Sequence, residues 1–244
     1  MEKVVLTGAS GDIGKAIFSY LHSKKYSIAL WLRKEDANFL NFIKQVTDNQ
    51  YSNHCLIYAD LESKTDIEQG IRETKSWCKN PDILINSAGY PYGSHSLMTP
   101  QSELIKTYQI NLFAPLQLIQ SFSREMIKSK KGNIINIASI QGVIAEKGNL
   151  AYGGSKSALI HSTKILAQEI GADGIKINCI SPSAVDSKMA RLMDKKSLDR
   201  LNKYSARGSE ILIDEVIGTI KFLLSSDSDG HNGFNFRLDG GMPF

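Results

Sequence analysis

A short apolar run passes directly into a glycine-rich turn in the stretch Lys3-Val4-Val5-Leu6-Thr7-Gly8-Ala9-Ser10-Gly11-Asp12-Ile13-Gly14. The run is typical of a buried strand, and an amphipathic segment of helical length follows the turn. In such a turn, Gly8 permits the tight bend, Gly11 lets a ligand come close, and Gly14 lets the helix pack on the strand. Backbone N–H groups at a helix start attract phosphate, so the stretch predicts a dinucleotide-binding turn rather than a plain strand-to-helix connection.

Short apolar runs alternate with segments of helical length along the whole chain. This alternation predicts an α/β fold of the Rossmann-like, doubly wound kind, with a seven-stranded, mostly parallel sheet and helices on both faces. The predicted strands are Lys3–Thr7, Ser27–Leu32, His54–Ala59, Ile83–Asn86, Asn133–Ala138, Lys176–Ile180 and Phe234–Leu238. The predicted helices are Ile13–Ser23, Glu35–Asp48, Lys64–Lys79, Gln101–Lys128, Leu150–Gly171 and Asp214–Ser225.

The composition and charge are those of an ordinary folded protein. Of the 244 residues, 42% are hydrophobic and 22% are charged, which excludes disorder and fits a single domain over residues 1–244. The net charge of +4 is too small to indicate a nucleic-acid partner, and no apolar run approaches the roughly 18 residues of a membrane-spanning helix. Three scattered cysteines argue against disulfides or a metal site, and the first strand leaves no room for a signal peptide, so we expect a cytoplasmic protein.

One stretch breaks the alternation of strands and helices. Between Ser181 and Ile211 the sequence is charged, polar and contains methionines, as in a loose helical excursion. A long insertion after a strand is usually functional. We therefore expect a lid or substrate loop over residues 183–211.

The end of the second predicted strand indicates which dinucleotide would bind. Sites for NAD place an acidic residue there to bond the ribose 2′-hydroxyl, whereas a nearby Arg accommodates a 2′-phosphate. This strand ends at Leu32, and the cations Arg33 and Lys34 follow it. A solvated basic loop would look similar, but the missing carboxylate favours NADP(H).

Ser139, Tyr152 and Lys156 follow the fifth predicted strand and begin the next helix. Tyr152 and Lys156 are four residues apart, so their side chains share one helix face. A neighbouring ammonium would lower the pKa of the phenol from its usual value near 10 toward a range useful for proton transfer. Ser139 could hydrogen-bond a substrate carbonyl. Each residue alone has an ordinary alternative, but the three together beside a nucleotide turn predict a catalytic site.

The ordered set of motifs resembles the short-chain dehydrogenase/reductase family, and the similarity extends over essentially the whole chain. Within that family, the length and the Asp-Gly-Gly-Met ending are most similar to the 3-oxoacyl-acyl-carrier-protein reductases. The matching segments are Thr7-Gly8 with Gly14, Asp60-Leu61, Asn86-Ser87-Ala88-Gly89, Asn111, Asn136-Ile137-Ala138-Ser139, Tyr152-Gly153-Gly154-Ser155-Lys156, Asn178-Cys179-Ile180-Ser181-Pro182 and Leu238-Asp239-Gly240-Gly241-Met242.

The resemblance implies a role for each matched residue. Tyr152 would protonate the carbonyl oxygen, and Lys156 would lower its pKa and bind the nicotinamide ribose. Ser139 would orient the substrate oxygen, and Asn111 would hold a water of the proton relay. The residues expected to bind the cofactor are Thr7, Gly8, Ser10, Gly11, Asp12, Ile13, Gly14, Arg33, Asp60, Leu61, Asn86, Ala88, Gly89, Tyr152, Lys156, Pro182, Val185 and Ser187.

The leading hypothesis is therefore an NADPH-dependent carbonyl reductase of the 3-oxoacyl-thioester type. Its substrate would be a small molecule or an acyl thioester, and an acyl carrier protein is a candidate partner. The family resemblance also implies a homotetramer or homodimer. No metal ion is expected.

Several positions depart from the family pattern, namely Asp12, Ser87, Ser183 and Asp173. Carrier-protein reductases usually have Arg in place of Asp173, and a carboxylate there would repel an acidic carrier. The basic run Lys128-Ser129-Lys130-Lys131 could still attract one.

Two alternatives therefore stay open. One is a reductase of a ketone on another small molecule or a modified protein, like the aminopentanone reductases that act on elongation factor P. The other is a non-catalytic NADP-sensing protein, against which the complete set of catalytic residues argues.

Overall fold

A computed structural model gives the structure and describes residues 1–49, 53–187, 190 and 195–243. The strands form one seven-stranded sheet in the order β3-β2-β1-β4-β5-β6-β7, and every pairing is parallel. The predicted fold class is confirmed. The strands are β1 (Lys3–Thr7), β2 (Ser27–Leu32), β3 (His54–Tyr58), β4 (Ile83–Asn86), β5 (Gly132–Ile137), β6 (Ile175–Pro182) and β7 (Asn235–Leu238).

Eight α-helices are present among the described residues. They are α1 (Asp12–Ser23), α2 (Ala37–Val46), α3 (Lys64–Trp77), α4 (Gln101–Tyr108), α5 (Ala114–Ser129), α6 (Leu150–Ile170), α7 (Lys195–Tyr204) and α8 (Ile213–Leu224). None of these helices combines the length and apolar character needed to cross a membrane.

The core lies in two layers, one on each face of the sheet. Alternate residues of β1 point to opposite faces, so Val4 and Leu6 join one cluster while Val5 joins the other. Helices α1, α2 and α8 cover the first face, and α3, α5 and α6 cover the second. Strands covered on both faces need continuous apolar sequence, which explains why the central strands lack a polar alternation.

The predicted helix Gln101–Lys128 is divided by a π-helical turn at Gln109–Phe113. Such turns carry i→i+5 hydrogen bonds and recur at functional sites. Pro115 lies in the first turn of α5, directly after this π-helical turn. The π-helical turn therefore separates α4 from α5 while the chain stays helical, and Asn111 lies inside this turn.

The segment predicted as a lid contains α7 and an isolated bridge between Val185 and Ile211. Leu201 of α7 is buried against Ile140, Ala184 and Met242. Helix α7 thereby rests on the loop that follows β5 and on the end of the chain. Residues 188–189 and 191–194, which belong to the predicted lid, lie outside the described residues.

We predict that Gly70→Ala destabilises the protein by about 1–3 kcal/mol, because an added Cβ overpacks a filled site. That atom would lie 2.6 Å from the Trp31 ring. Trp31 is 2% exposed, and its indole N–H donates to Thr74 Oγ1 at 3.0 Å, so the ring cannot move freely. Urea unfolding measures the change.

Gly218→Ala is the matched control. Gly218 is an exposed residue inside α8, and no atom lies within 4 Å of its added Cβ. This substitution should stabilise by roughly 0.5–1 kcal/mol. A Gly70→Ala protein as stable as the wild type would contradict the packing argument.

Candidate active site

In the turn between β1 and α1, two glycines have no room for a side chain, and a third glycine does have room. Gly8 has φ +67°, and a Cβ there would lie 2.7 Å from the backbone nitrogen of Ala88. A Cβ on Gly14 would overlap the carbonyl oxygen of Gly8. A Cβ on Gly11, by contrast, would meet only the Gly8 carbonyl oxygen, at 3.4 Å. The side of Gly11 away from the turn is therefore open to a ligand.

The start of α1 suits a pyrophosphate. Its N-cap residue is Gly11, and no side chain caps the helix. The first-turn N–H groups of such a helix are available to an anion, and the helix dipole favours negative charge there. Ser10 and Ile13 flank this position, while Asp12 is the first residue of α1. The turn thus fits the phosphates of a dinucleotide.

The ends of β2 and β3 lie side by side and form the adenosine end of the predicted site. Leu32 pairs with Tyr58 in the sheet, and it is only 2% exposed. Arg33 follows Leu32 and is exposed. Asp60 follows β3, its carboxylate accepts a hydrogen bond from the backbone N–H of Glu62 at 3.0 Å, and Leu61 stands between the two.

Two polar residues tie the ends of the central strands together. The Thr7 hydroxyl is 1% exposed and accepts from the backbone N–H groups of Ser87 and Ala88 at 3.1 and 3.2 Å. The Asn86 side-chain amide donates to Asn136 Oδ1 at 2.8 Å. Thr7, predicted to bind cofactor, thus holds β1 to the loop after β4.

Asn86 also leaves an unused acceptor at the predicted ribose position. Its Oδ1 is buried and has no hydrogen-bond partner among the described residues. A buried acceptor of this kind is costly unless something donates to it. A ribose hydroxyl could supply that hydrogen bond, so Asn86 fits the predicted nucleotide.

Ser139, Tyr152 and Lys156 meet in one cavity of about 520 Å³ at the carboxyl edge of the sheet. Ser139 follows β5 and caps a short 3₁₀ helix, where its Oγ accepts from the Gln141 N–H at 3.2 Å. Lys156 Nζ donates to the Ile137 carbonyl at 2.8 Å and lies 5.9 Å from the centroid of the Tyr152 ring. The predicted cofactor residues that line the same cavity are Ile13, Gly89, Pro182, Val185 and Ser187.

Burial is the largest influence on the pKa values of Tyr152 and Lys156, the predicted catalytic pair. It raises the pKa of Tyr152, and hydrogen bonding with Ser139 opposes this increase. Burial also lowers the pKa of Lys156 to about 8. The pKa of the phenol is thus raised by burial, whereas the sequence predicted that the ammonium would lower it. Tyr152 is therefore a neutral phenol at neutral pH.

Asn111 lies in the π-helical turn and is fully buried. Its Oδ1 accepts from the Tyr90 N–H at 2.8 Å. Its amide group donates to the Tyr90 carbonyl and to Ser155 Oγ, both at 3.0 Å. Ser155 Oγ in turn donates to the Tyr152 carbonyl at 2.7 Å. Since both amide protons are used within the chain, Asn111 holds the start of α6 in place, and its side chain has no donor left for a water.

The sequence reasoning missed the residues on the substrate side of the cavity. These belong to the loops after β4 and β5, where ligands of open parallel sheets bind, but no motif marks them. The polar members are Tyr92, Ser94, His95, Gln141, Glu146, Lys147 and Asn149.

Asp173 and the basic run lie at the opposite edge of the sheet. Lys131 immediately precedes β5 and Asp173 precedes β6, and a Cβ on Gly174 would overlap the Lys130 carbonyl oxygen. Extended chain from Lys131 to Ser139 spans about 26 Å at ~3.3 Å per residue. Within one chain, Asp173 and the basic run therefore lie far from the cavity that contains Ser139 and Tyr152.

Comparison with known proteins finds relatives along the whole chain. A family model described as enoyl-(acyl carrier protein) reductase matches residues 8–243. The chain is 29% identical over 243 residues to carbonyl reductase family member 4 of Xenopus laevis, covering 99% of this chain and 98% of that protein. It is 27% identical over 238 residues to the 3-oxoacyl-(acyl-carrier-protein) reductase FabG of Rickettsia prowazekii (strain Madrid E), covering 98% and 95%. A solved structure, a 4-hydroxyisoleucine dehydrogenase mutant complexed with NADH and succinate, matches with a TM-score of 0.91 and 27% identity over 99% of this chain and 98% of that chain.

We predict that Lys156 makes the stability of the cofactor-free protein depend on pH. Its pKa is about 8 in the fold and 10.5 when unfolded, so the unfolded chain binds the extra proton between these values. The free energy of unfolding should therefore rise with pH across this window. Across this window, the free energy of unfolding of the wild type should rise by about 1–3 kcal/mol more than that of Lys156→Met.

Urea unfolding of both proteins across this pH range measures the difference. Both proteins keep Tyr152 and Cys179, so the titration of these two groups contributes to both profiles. Parallel pH profiles would show that Lys156 is not buried as an uncharged amine.

Proposed function

The chain belongs to the short-chain dehydrogenase/reductase family, and we propose that it is an NADPH-dependent carbonyl reductase acting on 3-oxoacyl thioesters. One observation carries the proposal. Ser139, Tyr152 and Lys156 meet in a single cavity beside the glycine-rich turn. When bound, the nicotinamide cofactor supplies the hydride for the carbonyl carbon.

The residues of the chain provide the proton and the orientation. Ser139 Oγ already accepts a hydrogen bond from Gln141, so its own proton can be donated to the substrate oxygen. Tyr152 donates a proton to that oxygen, and its raised pKa keeps the phenol protonated at neutral pH. A protonated Lys156 would stabilise the phenolate left behind. Asn111, through Ser155, fixes the helix turn that carries the phenol.

The preference for NADPH rests on the end of β2. Leu32 is buried where a carboxylate would bind the ribose 2′-hydroxyl, and the exposed Arg33 and Lys34 suit a 2′-phosphate. The 4-hydroxyisoleucine dehydrogenase structure contains NADH, so the fold alone does not decide between the cofactors.

The thioester substrate is supported by the family match and by the relative named as a 3-oxoacyl-(acyl-carrier-protein) reductase. A carrier protein would dock at the cavity mouth, which includes α7 through Ser197 and Leu201. This helix exposes Lys195 and Lys196, cations that an acidic carrier could meet.

A second candidate is a small polar ketone or a ketone on a modified protein. The polar groups on the substrate side of the cavity, such as Gln141, Glu146 and Asn149, favour it over a long acyl chain. The relative named as a carbonyl reductase is consistent with this choice.

We also propose that the protein assembles as a homotetramer or homodimer. Large apolar side chains are exposed at more than one place on the surface, including Ile105 of α4, Phe113 of the π-helical turn and Phe234 just before β7. Their burial between copies would remove apolar surface from water.

We predict that NADPH binds at least about tenfold more tightly than NADH, a difference of ~1.4 kcal/mol. In Arg33→Ala this preference should shrink, because the phosphate loses a cation. Fluorescence titration of both cofactors gives the dissociation constants. Equal affinities in the wild type, or an unchanged preference in the variant, would refute the NADPH assignment.

We predict that Tyr152→Phe loses at least ~10²-fold in kcat, the usual contribution of a general acid, while it still binds NADPH. The ring keeps its shape and only the proton donor is removed. Consumption of NADPH is followed with an acetoacetyl thioester and with a panel of polar ketones. Near-normal turnover in the variant would exclude Tyr152 as the proton donor, and a wild type that reduces no carbonyl would overturn the proposed function.

A further inference from the structure

Glu146 is a buried carboxylate that the proposed reaction does not use. It lies in the loop between the 3₁₀ helix after β5 and the start of α6, and it lines the cavity. Its side chain is 9% exposed. An ionised carboxylate at such a position needs donors and a cation, because desolvation of an unpaired charge is costly.

Three side chains donate to this carboxylate, two from residues close to it in the sequence and one from α7. Asn149 Nδ2 lies at 3.2 Å, Arg200 Nη1 at 3.3 Å and Gln141 Nε2 at 3.4 Å. Arg200 supplies the cation of the ion pair and comes from α7, 54 residues further along the chain. Glu146 therefore joins α7 to two segments of the catalytic site.

Those two segments carry the catalytic hydroxyl groups. The backbone N–H of Gln141 donates to Ser139 Oγ at 3.2 Å. Asn149 is the N-cap residue of α6, and its carbonyl accepts from the Gly153 N–H at 2.8 Å, directly after Tyr152. A displacement of Glu146 would thus act on both sides of the substrate oxygen.

The apolar contacts of α7 converge on the same place. Leu201 packs on Ile140, the residue next to Ser139, and the partly buried Leu198 packs on the same cluster together with Ile144. The ion pair between Arg200 and Glu146 adds a polar contact between α7 and the loop after β5 to these apolar ones. Loss of Arg200 would leave a nearly buried carboxylate without its cation.

We propose that Glu146 is a positioning residue that couples closure of α7 over the cavity to the placement of Ser139 and Tyr152. Arg200 is its partner on α7. This role rests on the proposed carbonyl reduction for its kinetic consequence, but the coupling itself belongs to the structure without cofactor. When α7 is closed, the carboxylate is paired and the two catalytic segments are held together.

Steady-state kinetics of Glu146→Gln, Arg200→Ala and the double variant test the coupling. Each single change should lower kcat for the carbonyl substrate about tenfold, because Ser139 and Tyr152 lose their placement, while KM changes less than about threefold. The double variant should be no worse than either single one, because both remove the same interaction. Arg200→Lys should recover most of the loss, since it keeps the charge. The affinity for NADPH should not change.

Hydrogen exchange of α7 without cofactor or substrate tests the same coupling independently of turnover. Amide exchange over Lys195–Tyr204 should be about tenfold faster in Glu146→Gln and in Arg200→Ala than in the wild type. Glu2→Gln is the matched control. It removes the 2.7 Å ion pair with Lys131 at the opposite edge of the sheet and should leave α7 unchanged.

The outcomes separate this proposal from the proposed function. Unchanged exchange in both variants would overturn the coupling even if the enzyme reduces carbonyls as proposed. A rise in KM for Glu146→Gln alone, with Arg200→Ala normal, would also overturn it and would make Glu146 a direct substrate ligand. Faster exchange in a protein that reduces no carbonyl would support the coupling and reject the reaction.

Discussion

The close packing of α1 against the end of β1 is the constraint on which the rest of the structure depends. Gly14 allows the helix to approach the Gly8 carbonyl, and Gly8 itself takes a left-handed conformation against Ala88. With larger residues, α1 would be pushed away from the sheet, and its N-terminus would leave the edge where β1 and β4 end. The hydroxyl of Thr7 completes the arrangement by accepting from the loop after β4.

A buried network of hydrogen bonds also joins strands β4, β5 and β6 to α6. Asn86 donates to Asn136, and Asn136 donates to Thr163 Oγ1 at 2.9 Å on α6. Thr163 also contacts the sulfur of Cys179 at 3.1 Å on β6. These groups are almost fully buried, so their mutual hydrogen bonds fix the position of α6 more strictly than apolar packing alone would. Helix α6, which carries Tyr152 and Lys156, is thus held by hydrogen bonds to the sheet as well as by its contacts around the cavity.

The sequence determines much of the fold and only part of the site. Continuous apolar runs locate the seven strands, and β6 differs mainly because it extends to Pro182. The π-helical turn within Gln101–Lys128 escapes the pattern, since one wide turn barely alters the apolar spacing. The position of Asp173 could be predicted from strand direction. Because this residue precedes β6, it lies at the amino ends of the parallel strands, away from the cavity at their carboxyl ends. In contrast, the raised pKa of Tyr152 depends on burial by distant segments, and no local spacing reveals it. The hydrogen bond from Arg200 to Glu146 likewise requires a contact over 54 residues of chain.

The π-helical turn at Gln109–Phe113 changes the relative orientation of the faces of α4 and α5. A π turn accommodates about one residue more than an α-helical turn, which corresponds to about 100° of rotation. The faces of α4 and α5 are therefore out of phase by roughly one residue compared with an unbroken helix. A relative that lacked one residue in this turn would regain a regular helix, with the same sheet and the same glycine turn, but its Asn111 amide would rotate away from Tyr90. The number of residues in this turn thus decides whether Asn111 reaches Tyr90, and the loss of one residue here would remove a structural contact between the turn and the loop after β4.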